Sequence, residues 1–402
     1  MQKRKMLDYL ISLLDMSFSG VLMFFLYWYL PKHIWIISER ANQAQDNGVA
    51  FFKYLNQFHP EISSFYLLES GDKNIEKVEQ IGNVLIKGSR KHKLYFLKSR
   101  VIATTEKNII EPWGSNIFYT CFANFFPKKL KIFLQHGILD KDVSAIYGKD
   151  VSHFDLFVTS SEREREFVIR QFGYLPDEVI NVGLSRYDQL VVDDSTIKEK
   201  LILFMPTWRR YLNDLAIKDA KYIDKARTEF LKSKYYEAID DIINSQQLNK
   251  ILQENDYRMI IVTHHGMNDF KDCFKTNSQH IEIYSSEEIE IRELIHRASI
   301  FITDYSSVHF DSAYVGNINL YYQFDKEEFM KGHASTSYFD YEEDGFGVVS
   351  YDRNALLISI ERAIQQNGRR EYMYTQRVNK FFSFKDNRSC ERLYQQIDKK
   401  LS

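Results

Sequence analysis

The chain has 402 residues, 44% of them hydrophobic and 15% aromatic, which suits two domains with sizeable cores and excludes a disordered chain. Lys and Arg number 53 against 55 Asp and Glu, and the formal net charge of −2 excludes a broad nucleic-acid surface while leaving room for a local basic patch. The three cysteines, Cys121, Cys273 and Cys390, are scattered and odd in number, so neither a disulfide framework nor a cysteine metal site is expected, and a reducing compartment fits.

Lys3, Arg4 and Lys5 precede the apolar Leu7 to Leu14, Asp15 interrupts, and Val21 to Leu30 runs unbroken to Pro31, Lys32 and His33. The unbroken run is about half the length of a bilayer crossing. Trp28 to Pro31 offers no small-residue cleavage site, so a signal peptide is not expected. Residues 1–33 are read as a membrane-associating helical segment. A basic start and aromatic residues suit a peripheral, monotopic helix on the cytoplasmic membrane face, and burial against the first domain is the alternative.

From Ile34 onward short apolar runs alternate with helical patterns, the mark of parallel βαβ units in an α/β fold. The predicted strands of the first domain (residues 34–192) are Ile34–Ile37, Phe65–Leu68, Val84–Ile86, Val101–Thr104, Lys131–Leu134 and Leu156–Val158. Functional residues in such sheets belong on loops past the carboxyl ends of strands. Glu39 and Arg40 set opposite charges after the first strand, and Asn47 and Gly48 open the next helix. Gly88 to His92, with Ser89 and His92, places small residues before cations and suits an anionic acceptor, a solvated turn being the ordinary reading. Lys131–Leu134 ends in Gln135-His136-Gly137. An imidazole there titrates near neutral pH and can take a proton from a hydroxyl nucleophile, whereas a lone histidine is ordinarily a structural hydrogen-bond partner. Asp140 and Asp142 read as a solvated loop, without the ligand order of a cation site.

Asp193 to Thr196 break the pattern, and the domain boundary is drawn through Val191–Lys200. In the second domain, residues 193–402, Leu201–Met205 ends in Pro206-Thr207-Trp208-Arg209-Arg210. Lys218–Lys250 is a charged helical stretch. Arg258–Val262 then leads to His264 and His265, which lack the i,i+4 helical spacing of a zinc pair, and His264 is read as a phosphate contact or acid. After Ile281–Tyr284, the strand Ile300–Ile302 passes through Thr303, Asp304, Tyr305, Ser306 and Ser307 into a helix over Val308–Tyr314 that carries Asp311. A helix start fed by small hydroxyl residues gathers free N–H groups and suits phosphate, an ordinary cap being the alternative. Asp311, a turn further on, is placed for a ribose hydroxyl. Leu320–Phe324 follows, then a lid-like segment from Asp325 to Gly347, and closing helices over Arg377–Leu401.

Three motifs in this order, His136-Gly137, Pro206-Thr-Trp-Arg209 and Thr303-Asp-Tyr-Ser-Ser307 through Phe310-Asp311, with His264 between the last two, resemble the CDP-glycerol glycerophosphotransferase family. That family comprises teichoic acid primases and polymerases and related capsule enzymes. The likeness also covers Ser38 to Arg40, Asp46 to Gly48, Gln323 to Asp325, Asp344 to Gly347 and Asp386 to Arg392. It implies a GT-B-like fold, two Rossmann-like domains facing a central cleft, with acceptor on the first and CDP-alditol on the second. It implies transfer of glycerol phosphate or ribitol phosphate, from CDP-glycerol or CDP-ribitol, to a hydroxyl of a membrane-linked or capsular glycan, with release of CMP. His136 and His264 match the two histidines the family needs. Thr207, Arg209, Thr303, Asp304, Ser306, Ser307 and Asp311 fall to the donor, and Glu39, Arg40, Asn47, Gly48, Ser89 and His92 to the acceptor. No Asp-x-Asp motif at a strand end points to a bound Mg²⁺, Asp140-Lys-Asp142 being read as a solvated loop, so neither metal nor cofactor is expected. The chain departs from the family's Lys-Pro-His-Pro, reading Val262-Thr-His-His265. Its length suits a primase-like or short capsule-type enzyme, and a homo-oligomer stays open. A sugar-nucleotide glycosyltransferase on the same architecture, or a non-enzymatic member of a polysaccharide assembly complex, are the other readings.

Overall fold

The computed structural model describes residues 2–40, 44–114, 118, 122–190, 198–209, 212, 223–333 and 336–402. Cys121, Arg210, residues 191–197 of the expected boundary and residues 218–222 of the charged stretch lie outside the described residues. The chain divides into two units, one of Met1–Ile138, Asp142–Val191 and Ser383–Ser402, the other of Leu139–Lys141 and Val192–Phe382.

The first unit is built on β1 (Ile34–Ser38), β2 (Ser63–Leu68), β3 (Asn83–Ile86), β4 (Val101–Thr104), β5 (Leu130–Phe133), β6 (Leu156–Thr159) and β7 (Val179–Asn181), in the order β3-β2-β1-β4-β5-β6-β7. All pairings are parallel. β1, β4 and β6 are buried along their whole length, which is why they read as unbroken apolar runs and not as alternating ones. The second unit repeats the winding with β8 (Glu199–Met205), β9 (Arg258–Thr263), β10 (Ile281–Ser285), β11 (Ala298–Thr303), β12 (Ile318–Tyr322) and β13 (Gly347–Ser350), in the order β10-β9-β8-β11-β12-β13. Chain direction across the sheet reverses between β1 and β4, and again between β8 and β11. Loops diverge at such switch points and leave a crevice at the carboxyl edge. The α/β expectation therefore holds, doubly wound in both halves.

Three features differ from the sequence reading. β13 starts inside the segment expected to act as a lid. A Cβ at Gly347 would lie 1.6 Å from the Asn319 carbonyl oxygen, so glycine is what lets this strand join β12, and Phe346 beside it is fully buried. Ser383–Ser402, expected with the second domain, belongs to the first unit. Its helix Ser389–Leu401 starts on the Asp188 carboxylate, which accepts from the N–H groups of Ser389 (2.7 Å) and Cys390 (2.8 Å), and it buries Leu393 and Ile397.

The N-terminal segment is one helix, α1 (Gln2–Leu26), not two runs split at Asp15. Asp15 stays within it because Lys93 pairs with its carboxylate at 2.7 Å and the Trp113 indole N–H donates to it at 2.6 Å. Met16, Ser19 and Met23 are buried on the side that packs against the helix Arg90–Lys98. Leu14, Phe18, Val21, Phe24 and Phe25 are exposed on the other. By length and composition alone Asp8–Leu26 is apolar enough to cross a membrane.

Candidate active site

In the first unit the carboxyl end of β5 delivers His136. Gln135 takes a left-handed backbone (φ +61°), which costs a non-glycine residue about 1 kcal/mol or more, and its buried amide secures the turn by donating to the Val158 carbonyl and to Glu164 at 3.0 Å. The half-buried His136 ring lies 5.8 Å from that of Tyr147, and its Nδ1 is enclosed without a hydrogen-bond partner. An enclosed polar atom left so costs about 1–3 kcal/mol. Burial, and after it Arg40, holds the imidazole below its ordinary pKa, against the pull of Asp46 and Glu106. It is therefore neutral at neutral pH, the form a general base requires.

Two ion pairs flank this histidine. Arg186 donates to Asp46 at 2.7 Å and to the His136 carbonyl at 3.3 Å. Arg40 pairs with Glu106 at 2.5 Å, and the Tyr147 hydroxyl donates to the other Glu106 oxygen at 2.9 Å. Glu106, Tyr147 and Arg186 are missing from the sequence-based site. Glu106 has a legible signal, since it follows β4, the partner of β1 at the switch point.

Most of the residues expected to bind acceptor instead hold the frame. Glu39 is buried and accepts from the backbone N–H groups of Gln45 (3.0 Å), Asp46 (2.9 Å) and Val49 (2.7 Å); burial, then Asp46, pushes its carboxyl up to about 7. Gly48 is required by closeness, because a Cβ there would meet Glu39 Cγ at 2.8 Å. Asn47 is fully buried, donating to the Gln135 carbonyl at 2.9 Å and accepting from the Arg186 N–H at 3.0 Å. Ser89 caps the helix Arg90–Lys98 by accepting from the His92 N–H at 3.1 Å. His92 is itself fully buried, bonded to the Gly88 N–H (3.0 Å) and the Ile110 carbonyl (2.9 Å), and burial pulls it down to about 4. Both follow the edge strand β3, two strands from β1. Arg40, its side chain 40% exposed, keeps its guanidinium partly open.

In the second unit the ends of β9, β8 and β11 lie side by side, about 10 Å across at ordinary strand spacing. Arg209 is fully buried: it bonds both Asp325 oxygens (2.7 and 2.9 Å), pairs with Asp304 at 2.7 Å and donates to the Thr207 carbonyl at 2.6 Å. The aromatic rings of Tyr235, Tyr305, Phe324 and Phe329 surround its guanidinium. The other oxygen of Asp304 accepts from the N–H groups of Thr207 (2.8 Å) and Tyr305 (2.7 Å). Thr303 is buried and donates to the Met205 carbonyl at 2.6 Å. These three expected donor contacts thus lock the β8 and β11 loops together, and Arg209 has no open side toward a phosphate.

The other expected donor residues stand on the loops after β8, β9 and β11 or on the helix that follows β11. The Thr207 hydroxyl is enclosed and unpartnered. Ser307 stands at the N-cap of Val308–Tyr314 without a side-chain cap bond, and Ser306 accepts from the Val308 N–H at 3.3 Å. His264 Nδ1 accepts from the Gly266 N–H at 3.1 Å, so the neutral ring carries its proton on Nε2 as a donor. Asp311 is 8% exposed on the same short helix. Among the described residues no three His, Cys, Asp or Glu side chains gather as a metal-ligand set.

Comparison with known proteins adds to this geometry. The family model described as CDP-Glycerol:Poly(glycerophosphate) glycerophosphotransferase matches residues 22–399. The chain is 29% identical over 373 residues to the minor teichoic acid biosynthesis protein GgaB of Bacillus subtilis (strain 168), covering 91% of this chain and 40% of that protein. It is 20% identical over 338 residues to a teichoic acid poly(glycerol phosphate) polymerase of Staphylococcus epidermidis, covering 78% of this chain and 43% of that one. The chain thus spans less than half the length of these two relatives. Among solved structures, the wall teichoic acid polymerase TagF superposes with TM-score 0.63 at 15% identity, over 93% of this chain and 91% of that one. UDP-GlcNAc 2-epimerase from Neisseria meningitidis does so with TM-score 0.54 at 10% identity, over 91% and 99%. At these identities the likeness is one of fold, and the fold is GT-B-like.

Proposed function

Because the chain belongs to the CDP-Glycerol:Poly(glycerophosphate) glycerophosphotransferase family, we propose that it transfers glycerol phosphate, or ribitol phosphate, from a CDP-alditol to a hydroxyl of a teichoic acid or related glycan acceptor and releases CMP. Neutral His136 takes the acceptor's proton. The freed oxygen attacks the phosphorus that bears the alditol, and CMP departs with the electron pair of the broken P–O bond. The protein's part is positioning and charge stabilisation. His264, donating from Nε2, and the hydroxyls of Thr207, Ser306 and Ser307 take the diphosphate; Asp311 takes the ribose. Turnover needs no divalent cation, so EDTA leaves the rate unchanged. The exposed face of α1 rests on the cytoplasmic leaflet, beside a membrane-linked acceptor.

One observation carries this reading: the neutral imidazole of His136 at the end of β5, with its Nδ1 left without a hydrogen-bond partner. The test is CMP release from CDP-glycerol and CDP-ribitol, assayed separately. His136→Ala should lower it about 10²–10⁴-fold, the usual worth of a general base, while CDP-glycerol still binds. A variant as active as the parent removes His136 from the chemistry.

A further inference from the structure

The amino-terminal edge of the first sheet carries a cavity that the transfer reaction does not use. Its volume is about 730 Å³, within the range of ligand sites. Lys131, the second residue of β5, stands in its wall, whereas His136 follows the other end of that strand, so the cavity and the candidate base lie at opposite edges of the sheet.

The lining combines apolar and cationic groups. Phe118, Ala123, Phe126 and Pro127 supply the apolar part. Lys128, Lys129 and Lys131 stand against one carboxylate, Asp155, which is itself engaged by the Lys131 backbone N–H at 2.8 Å. Lys129 is 6% exposed, and its hydrogen bonds run to the carbonyls of Leu97, Ser99 and Pro127 (3.0, 3.3 and 3.4 Å), with no carboxylate among them. An ammonium buried without a counter-charge is destabilised, and burial pulls this one down to about 7. An anion in the cavity would offset that.

The position of α1 identifies the source of the anion. An added Cβ at Gly20 would meet Phe126 Cζ at 3.2 Å, so the helix touches the cavity wall directly. Phe125, next to that wall, is 79% exposed, as are Phe24 and Phe25 of α1 at 75% and 70%. An apolar exterior thus borders a cationic recess, the order in which an amphiphile presents chains and head. We propose that this cavity takes the phosphate-bearing headgroup of an anionic glycerophospholipid, with the acyl chains lying along the exposed face of α1.

The experiment compares the 402-residue chain on phosphatidylcholine vesicles with and without phosphatidylglycerol. Phosphatidylglycerol should tighten binding. Lys128→Ala should reduce that gain about fivefold, the worth of one cation at an anionic surface. Ala123→Trp changes no charge but fills the cavity, and should reduce the gain at least as far while binding to phosphatidylcholine alone is unaltered. A tryptophan variant that keeps the parental gain overturns the cavity in favour of a diffuse basic surface. Loss of the gain in millimolar inorganic phosphate overturns the lipid as its source. Should Ala123→Trp fail to fold, photolabelling of the unaltered protein with headgroup-reactive phosphatidylglycerol decides. Label on Phe126–Lys131 supports the site, and label confined to α1 overturns it.

Discussion

Arg209 and Ser307 stand on loops from neighbouring strands, yet substitutions at the two should fail differently. Arg209→Met strands Asp304 and Asp325 as buried carboxylates, and breaking such a pair costs about 3–5 kcal/mol. Thermal unfolding should register it. Ser307→Ala removes a hydroxyl that caps nothing, so stability should change by about 0.5 kcal/mol or less while the KM for CDP-glycerol rises. His92 separates structure from function through pH. Its folded pKa of about 4 lies below the ordinary 6.5, so the unfolded chain binds the extra proton between those values. Stability from this group is complete above pH 6.5 and lost as pH falls toward 4, in all about 3 kcal/mol at 1.36 kcal/mol per unit. Urea unfolding across that interval should show the slope, and His92→Gln should flatten it. What was legible at this scale was residue type at a strand end, as at His136, Thr207 and His264. Engagement was not legible, because the partners are remote: Arg209 meets Asp325 116 positions away, and Asn47 meets Gln135 88 away. A side chain named from one loop gives no sign that another loop has already claimed it.

Elements were legible where burial is uniform. β1, β4 and β11 are covered on both faces, so their apolar runs mark them without help from neighbours. β7 has three residues and β13 opens on glycine, and neither carries a run long enough to see. β13 exists because β12 passes so close that only glycine fits at 347. Gly347→Ala should therefore cost more than the usual 1–3 kcal/mol of overpacking, since the obstacle is backbone and cannot swing aside. Protease resistance of the second unit should fall with it. α1 shows a different limit. Asp15 broke its apolar pattern on paper, but Lys93 and Trp113 answer that charge in the fold, and the helix continues. Its two faces predict opposite phenotypes. Met16→Ala, on the buried face, should destabilise by about 2–5 kcal/mol. Phe24→Glu, on the exposed one, should leave the melting temperature unchanged and lower recovery with the membrane fraction.

At the scale of the molecule, the two sheets share one winding, and sequence alternation was enough to announce both. The allegiance of the last helix was not announced, because amphipathicity says that a helix has a core to join and not which core. Ser389–Leu401 joins the first unit through bonds that span two hundred positions, among them Asp188 to Cys390. Tyr394 stacks on Trp35 of β1 at 6.0 Å and on His59 at 3.6 Å, and Arg392 donates to the Val182 carbonyl at 3.0 Å. A chain ending at Phe382 would uncover the buried side chains of Leu393's neighbours and leave the Asp188 carboxylate without its two N–H donors. Hydrogen exchange on such a truncation should therefore accelerate in β1, β7 and the helix Asn47–Phe58 before it does in β8, β9 and β11. If the protection lost were instead that of the second sheet, the closing helix would belong where its place in the sequence suggests, and the division of the chain at Phe382 would be wrong.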